Sequence, residues 1–416
     1  MKTSIIPQSQ AQSREQPRLI DLIARRGVIT LLSRLQKGHI QLIDGQQMYD
    51  FGQPDAALKT VVTVRNPSFY SSIAFAGSTG AGEAYFHGDW DCDNLTSLVR
   101  ILVINRQLLD SMDSGPGKLM APLNKLLHWF NRNSRLGSRR NIAAHYDIGN
   151  SLFELMLDSN MMYSSAVYSE HHNTLELAAT HKLDLICQKL KLDENDQVIE
   201  IGTGWGGFAI HAARHYGCHV TTTTISQQQY NYARQRIKQL GLEHKITLLQ
   251  QDYRDLTGQY DKLVSIEMIE AVGQENLDNY FGKCCELLKT DGMMCIQAIT
   301  IADQRYSQAL REVDFIQKYI FPGGSLPSIT AMAESLTCST DMVIYQLDDI
   351  GADYARTLRD WRERFFQHES QIRELGYNEA FIRLWEFYLC YCEGGFMERA
   401  ISTVHLLATR PDFRQT

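Results

Sequence analysis

A backbone can press against a ligand where an apolar strand runs into closely spaced glycines, and this chain has such a place in Val198-Ile-Glu200-Ile-Gly202-Thr-Gly204-Trp-Gly206-Gly207. The run alone also fits a dinucleotide site. Three neighbours tilt it elsewhere. Glu200 precedes the first glycine by two residues, a place suited to the ammonium group of an amino acid. The next strand ends in Thr224-Ile-Ser226-Gln-Gln-Gln229, with no acidic ribose ligand of the kind NAD requires, although Ser and Gln can bond ribose hydroxyls. Gln251-Asp252-Tyr253 ends the strand after that, and sets a carboxylate and a ring where an adenine would lie. Glu200, Gly202, Gly204, Gly206, Thr224, Ser226, Gln229, Asp252 and Tyr253 are therefore expected to bind S-adenosylmethionine. A tight strand–helix junction with no ligand is the plainer alternative.

The elements that must position these residues alternate. Strands are expected at Gln197–Ile201, His219–Thr223, Ile246–Gln250, Lys262–Ile266 and Gly292–Ile299, with helices at Gly207–His215, Gln227–Leu240 and Leu277–Leu288. This pattern predicts an α/β fold, a doubly wound Rossmann-like sheet over residues 141–416, with ligands at the carboxyl ends of its strands. A smaller mixed α+β domain is expected over 19–110, with helices at Leu19–Leu35 and Leu95–Leu109 and strands at His39–Tyr49 and Val61–Val64. Its glycine run, Gly77-Ser-Thr-Gly80-Ala-Gly82, reads as a tight turn. Residues 1–18 read as a polar, disordered tail. Residues 111–140 read as a basic linker, with Lys118, Lys125, Arg132, Arg135, Arg139 and Arg140 around His128-Trp129-Phe130 and no acidic residue after Asp113. That composition suits either an anionic lipid surface or a solvated connection.

Bulk properties narrow the class. A formal charge of −7 over 416 residues gives no basic field for nucleic acid. No apolar run is long enough to span a bilayer, and the first residues lack a secretory core. The nine cysteines do not form paired CxxC sets, so reduced cytosolic thiols and no metal site are expected.

Several further blocks carry a resemblance. They are His145-Tyr146-Asp147-Ile-Gly149-Asn150, Met162-Tyr163-Ser164, Gln251-Asp252-Tyr253-Arg254-Asp255, Glu267-Met-Ile-Glu270-Ala-Val272-Gly273, Lys318-Tyr-Ile-Phe321-Pro322-Gly323-Gly324, Gly351-Ala-Asp353-Tyr354 and Tyr391-Cys392. With the glycine run, and with Gly82-Glu83-Ala-Tyr85-Phe-His-Gly88-Asp-Trp90 in the first domain, the chain resembles the cyclopropane fatty acid synthases, class I methyltransferases that act on phospholipid acyl chains. The resemblance spans nearly all of the chain after residue 18. It implies that a cis alkene attacks the sulfonium methyl, that a carbocation forms on the acyl chain, and that a base then takes a proton as the ring closes. In that family a bound bicarbonate serves as base.

By position, the resemblance adds Tyr163 and Ser164 to the cofactor contacts. It places Glu270, Tyr354 and, through its backbone, Ile299 at the bicarbonate site. Glu270 could instead be a helix-start charge. Cys392 matches a cysteine of the family's active site, although a thiol is not needed for this reaction, and it reads as a pocket wall. Tyr354, Tyr391, Trp385 and Phe396 are candidates to face a cation. The chain departs from the family's best-known pattern at Ser165, where that has Cys, and at Gln297, where that has His. Both can still hydrogen-bond an oxyanion, but Gln cannot carry a proton. These departures leave the product open between a cyclopropane and a methylated, ring-free chain. A non-catalytic lipid-binding relative and a methyltransferase for small amines are more remote readings. The resemblance also implies unsaturated phospholipids as partners, a cytoplasmic enzyme peripheral to the inner face of the membrane, a lipid-associated first domain, and leaves a homodimer open.

Overall fold

The computed structural model describes residues 16–107 and 149–414, which fall into two compact units. The tail up to residue 15, the basic linker and His145-Tyr146-Asp147 lie outside the described residues.

The first unit runs α1 (Leu19–Leu32), β1 (His39–Asp44), β2 (Gln47–Gly52), β3 (Lys59–Val64), α2 (Ser68–Phe86), β4 (Trp90–Cys92) and α3 (Leu95–Ile104). Its sheet has the order β2-β1-β3-β4, with β1 and β3 parallel and the other pairs antiparallel. The single strand expected over His39–Tyr49 is two, joined by a hairpin turn at Gly45-Gln46, whose glycine has φ +63°. Ile40 and Leu42 alternate inward with Val62 and Val64, as a period of two requires.

The glycine run turns only at its first residue: α2 breaks at Gly77 (φ 53°, ψ −132°) into two helical halves, and Gly80 and Gly82 lie in the second. A Cβ on Gly80 would stand 2.0 Å from the carbonyl oxygen of Ser72, so close packing rather than turning is what needs the missing side chain there.

The second unit runs α4 (Asn150–Met156), α5 (Leu175–Lys189), β5 (Gln197–Ile201), α6 (Gly207–His215), β6 (His219–Thr223), α7 (Gln227–Gln239), β7 (Ile246–Leu249), β8 (Tyr260–Ile266), α8 (Leu277–Leu287) and β9 (Leu288–Ile301). It continues with α9 (Asp303–Ala309), α10 (Phe315–Tyr319), α11 (Ile329–Ser339), β10 (Val343–Asp349), α12 (Gly351–Gln367), α13 (Glu369–Glu374), α14 (Glu379–Met397) and β11 (Ile401–Thr409). Its seven strands take the order β10-β11-β9-β8-β5-β6-β7. Strands β9, β8, β5, β6 and β7 are parallel, and β11 enters antiparallel between β9 and β10.

Each central strand is buried on both faces, which is why it reads as an unbroken apolar run. On one face Ile199, Ile201, Leu263 and Ile296 pack against Tyr280 and Phe281 of α8 and Met332 and Leu336 of α11. On the other, Val198, Val220 and Val264 pack against Leu183 and Ile186 of α5, Phe208 and Ala212 of α6 and Ile237 of α7. The doubly wound class I methyltransferase fold is as expected, and strand order reverses beside β5, where its carboxyl end meets the glycine run. Among the described residues no helix is long and apolar enough to cross a membrane.

Candidate active site

The cradle forms where β5 turns into α6. Gly202, Gly204 and Gly206 have φ of +101°, +53° and +90°. Side chains rarely adopt such angles, and a Cβ on Gly204 would meet nothing within 4 Å, so the backbone there faces open space. The turn is pinned because Gly202 and Thr203 both donate their N–H to the carbonyl of Thr223 on β6. Beneath it Glu200 is buried and accepts from Thr222 Oγ1 at 2.6 Å. Burial pushes its carboxyl up to about 8 despite that bond and the nearby Lys182 ammonium.

The corner after β6 is held by its own side chains. Thr224 Oγ1 donates to Gln229 Oε1 (2.9 Å), and Ser226 Oγ caps α7 by accepting from Gln229 N (3.3 Å). Asp252, expected beside an adenine, also fastens the turn after β7, where both of its oxygens accept from Arg254, at 2.8 and 2.7 Å. Tyr253 packs edge-on against Tyr280. The hydroxyl of Tyr163 meets that of Tyr388 at 2.8 Å, and Ser164 Oγ accepts from Lys182 Nζ at 2.7 Å.

Beside the cradle the structure gathers Ser165, Gln297 and Tyr354 around Glu267, at the tip of β8. Its carboxylate accepts from the Ser165 backbone N–H (2.9 Å), from Gln297 Nε2 (2.7 Å) and from the Tyr354 hydroxyl (2.7 Å). Ser165 contributes its backbone, not its hydroxyl, which turns to the carbonyl of Ala166. Glu270, one turn on, accepts from the backbone N–H of Ile299, while its other oxygen is buried with no hydrogen-bond partner. The cradle and this cluster are neighbours, because a Cβ on Gly202 would touch Met268, the residue after Glu267.

Two buried carboxyls so placed cannot share the same state. Burial raises both, but Glu267 is countered by the Ser165 amide, the Tyr354 hydroxyl, Lys182 and Gln297. Glu270 has the Glu267 charge against it and little more than backbone donors in its favour, and is pushed up to about 8. Of the two, Glu267 has the surroundings that favour the charged form, and Glu270 those that favour the proton. The bicarbonate implied by the resemblance would need the donors that already serve these two groups. Ser165 N, Gln297 Nε2 and Tyr354 Oη point to Glu267, and Ile299 N points to Glu270, so the one donor left for a further anion is the unpartnered Glu270 carboxyl, too few to hold a bicarbonate.

A polar chain behind Gln297 orients its amide. Lys189 Nζ pairs with Asp348 (2.6 Å) and donates to His405 Nδ1 (2.8 Å). The His405 ring proton is therefore on Nε2, which donates to Gln297 Oε1 at 3.0 Å. Burial and the lysines hold His405 down to about 3, so the ring is neutral. With Oε1 turned to His405, the amide NH2 must face Glu267.

The walls are aromatic. Tyr354 stacks on Phe396 (4.5 Å) and meets Trp361 edge-on (6.0 Å), and Tyr163 lies 5.2 Å from Trp361. Trp385 packs on Tyr388, and Tyr391 on Phe387. Cys392 is half-buried on α14. Burial and nearby Asp314 raise its thiol far above the usual range, so it is no thiolate nucleophile.

Three residues escaped sequence reasoning: Glu267, Lys182 and His405. The signal for Glu267 was present, an acid ending an apolar strand at its ligand-facing edge. Lys182 is fully buried in α5, and burial brings its ammonium down to about 8 against the pull of Glu267, Asp158 and Glu200. Nothing local marks either it or His405.

Comparisons with known proteins show the family. Residues 133–406 match the family described as mycolic acid cyclopropane synthetase. The tuberculostearic acid methyltransferase of Mycobacterium tuberculosis is 36% identical over 363 residues, covering 83% of this chain and 82% of that one. The cyclopropane-fatty-acyl-phospholipid synthase of Escherichia coli is 36% identical over 361 residues, covering 84% and 87%. A solved mycolic acid cyclopropane synthase complexed with SAH and CTAB superposes with a TM-score of 0.61 at 27% identity, covering 65% of this chain and 98% of that one. The chain is an S-adenosylmethionine-dependent methyltransferase and belongs to the mycolic acid cyclopropane synthetase family.

Proposed function

We propose that this enzyme methylates the cis double bond of unsaturated phospholipid acyl chains and closes a cyclopropane. The observation that carries this reading is the buried pair Glu267 and Glu270 beside the aromatic walls, next to the glycine cradle. When bound, S-adenosylmethionine supplies an electrophilic sulfonium methyl. Glu200 is proposed to hold its ammonium group. Thr224, Ser226 and Gln229 would face the ribose. Tyr163 and Ser164 would close over the methyl donor.

The acyl carbon left positive after methyl transfer needs dry, electron-rich walls, because water would trap it. Ring faces such as those of Tyr354 and Phe396 contribute about 1–2 kcal/mol each to a desolvated cation. A proton must then leave the chain, and the carboxyl cluster is placed to receive it. A methylated, ring-free product is the second reading, supported by the relative named for tuberculostearic acid.

The first unit is proposed to meet the bilayer. In the opening turns of α1, Leu19, Ile20, Leu22 and Ile23 are exposed while Asp21 is buried, where it accepts from Arg18 and Ser71. An acid turned inward and four aliphatics turned outward invert the usual pattern, as suits a surface that inserts into lipid.

Three outcomes test these proposals. Gas chromatography with mass spectrometry of membranes from expressing cells supplied with a cis-monounsaturated lipid should show one added CH2 and no remaining double bond. A retained double bond would favour the ring-free product. Joint Leu19→Glu and Ile23→Glu substitution should lower activity on vesicles about tenfold, as expected for losing over 1 kcal/mol of apolar insertion, and spare detergent-dispersed lipid. Equal loss on both would refute bilayer insertion by α1.

The third concerns Glu200, protonated in the free enzyme below pH 8. An arriving ammonium would ionise it, so cofactor binding at pH 7 should release a proton and tighten as pH rises towards about 8. Glu200→Gln should abolish that proton release in calorimetry and weaken binding by roughly 10- to 100-fold, as for losing a charge-assisted bond. An unchanged pH slope would remove Glu200 from the ammonium site.

A further inference from the structure

The cluster at the tip of β8 has the design of an anion site whose anion is part of the chain. Donors from three separate segments converge on Glu267: a backbone N–H at Ser165, an amide from β9 and a hydroxyl from α12. A carboxylate offers about four lone-pair positions, so three donors leave one unfilled. The Glu267 backbone is also held at φ +49°, a left-handed conformation that is unfavourable for a non-glycine residue. Surrounding structure maintains such strain chiefly where a side chain has to be aimed. Here it is the Glu267 carboxylate that is aimed at Tyr354 and Gln297, whose own orientation is set by His405.

We propose that Glu267 is the catalytic base of this enzyme, a built-in carboxylate in the place where relatives of this family hold free bicarbonate, so that turnover is independent of bicarbonate. This rests on the acyl-chain methyltransferase reading. In the step assigned to it, the alkene π pair has already formed the new carbon–carbon bond to the methyl, and the carbon–sulfur pair has left with sulfur. One C–H bond of that methyl then breaks. Its electron pair closes the ring onto the cationic carbon, and its proton goes to the unfilled lone pair of Glu267. The charges cancel as the chain becomes neutral and the carboxylate becomes a carboxylic acid, which returns its proton to water after the product leaves. Glu270 retains its proton and does not compete. Gln297, Tyr354 and the Ser165 amide are positioning groups that hold the base in one orientation.

The test uses the full-length enzyme, S-adenosylmethionine and vesicles of a cis-unsaturated phosphatidylglycerol, in carbon-dioxide-free buffer with and without added sodium bicarbonate. Wild-type turnover should be the same in both. Glu267→Gly is the informative variant, because glycine adopts the positive φ freely and opens the anion site. It should lose at least about 10²-fold in turnover without bicarbonate, the range for removing a general base, and recover when bicarbonate is added. A second readout needs no turnover: the carbon-13 resonance of labelled bicarbonate should broaden on adding Glu267→Gly and stay sharp with wild type. Wild-type turnover that requires bicarbonate would overturn the proposal, and so would full activity of Glu267→Gly in its absence. Cofactor affinity by calorimetry certifies that the variant is folded. If it is not, the wild-type comparison decides alone. A wild type that makes no product in either buffer would instead sink the acyl-chain reading.

Discussion

The ionised carboxylate of Glu267 has to be kept buried, and much of the catalytic unit is arranged to do so. A charge in that position is costly unless hydrogen bonds and an opposite charge compensate it. Compensation comes from four directions. The segment after Tyr163 supplies a backbone amide, β9 supplies Gln297, α12 supplies Tyr354, and Lys182 of α5 supplies a buried positive charge. Behind Gln297, the antiparallel strand β11 contributes His405, which is kept neutral so that it can orient the amide without adding charge. The site is thus a point at which five elements are tied together.

Lys182 links the two halves of the chemistry. Its ammonium lies under the influence of Glu200 beneath the glycine cradle and of Glu267 at the tip of β8, and donates to Ser164. Neutralising Glu200 with an incoming ammonium, or protonating Glu267 during turnover, changes the balance around one buried cation. With the roles proposed for Glu200 and Glu267, binding and proton transfer would be electrostatically coupled through it, which suits a reaction whose two stages must occur in order.

The cradle could be read from the sequence because its requirements are local. Strand, glycines and acid lie within ten residues, and the need for positive φ selects glycine directly. The five parallel strands were legible for the same reason, each being a short apolar run buried on two faces. The Glu267 cluster was not. Its partners lie 30, 87 and 102 residues away, so only the folded sheet reveals that an acid at the end of β8 meets them. Strands β10 and β11 were missed on different grounds. β10 is largely exposed and has no apolar alternation, and β11 returns antiparallel after a helical stretch. The glycine run was read correctly as a turn at Gly77 but not at Gly80, because glycine marks both turns and close contacts, and at Gly80 the contact with the Ser72 carbonyl decides.

On the proposed mechanism a carboxylate of this chain removes a proton from the transferred methyl itself. The most direct measurement is mass spectrometry of the acyl product made with S-adenosylmethionine deuterated at all three methyl positions. The expected product is a saturated ring whose new carbon carries two deuterium atoms, the third having been taken by the base. A branched chain that retains all three would mean that the proton came from the acyl chain, and would contradict it.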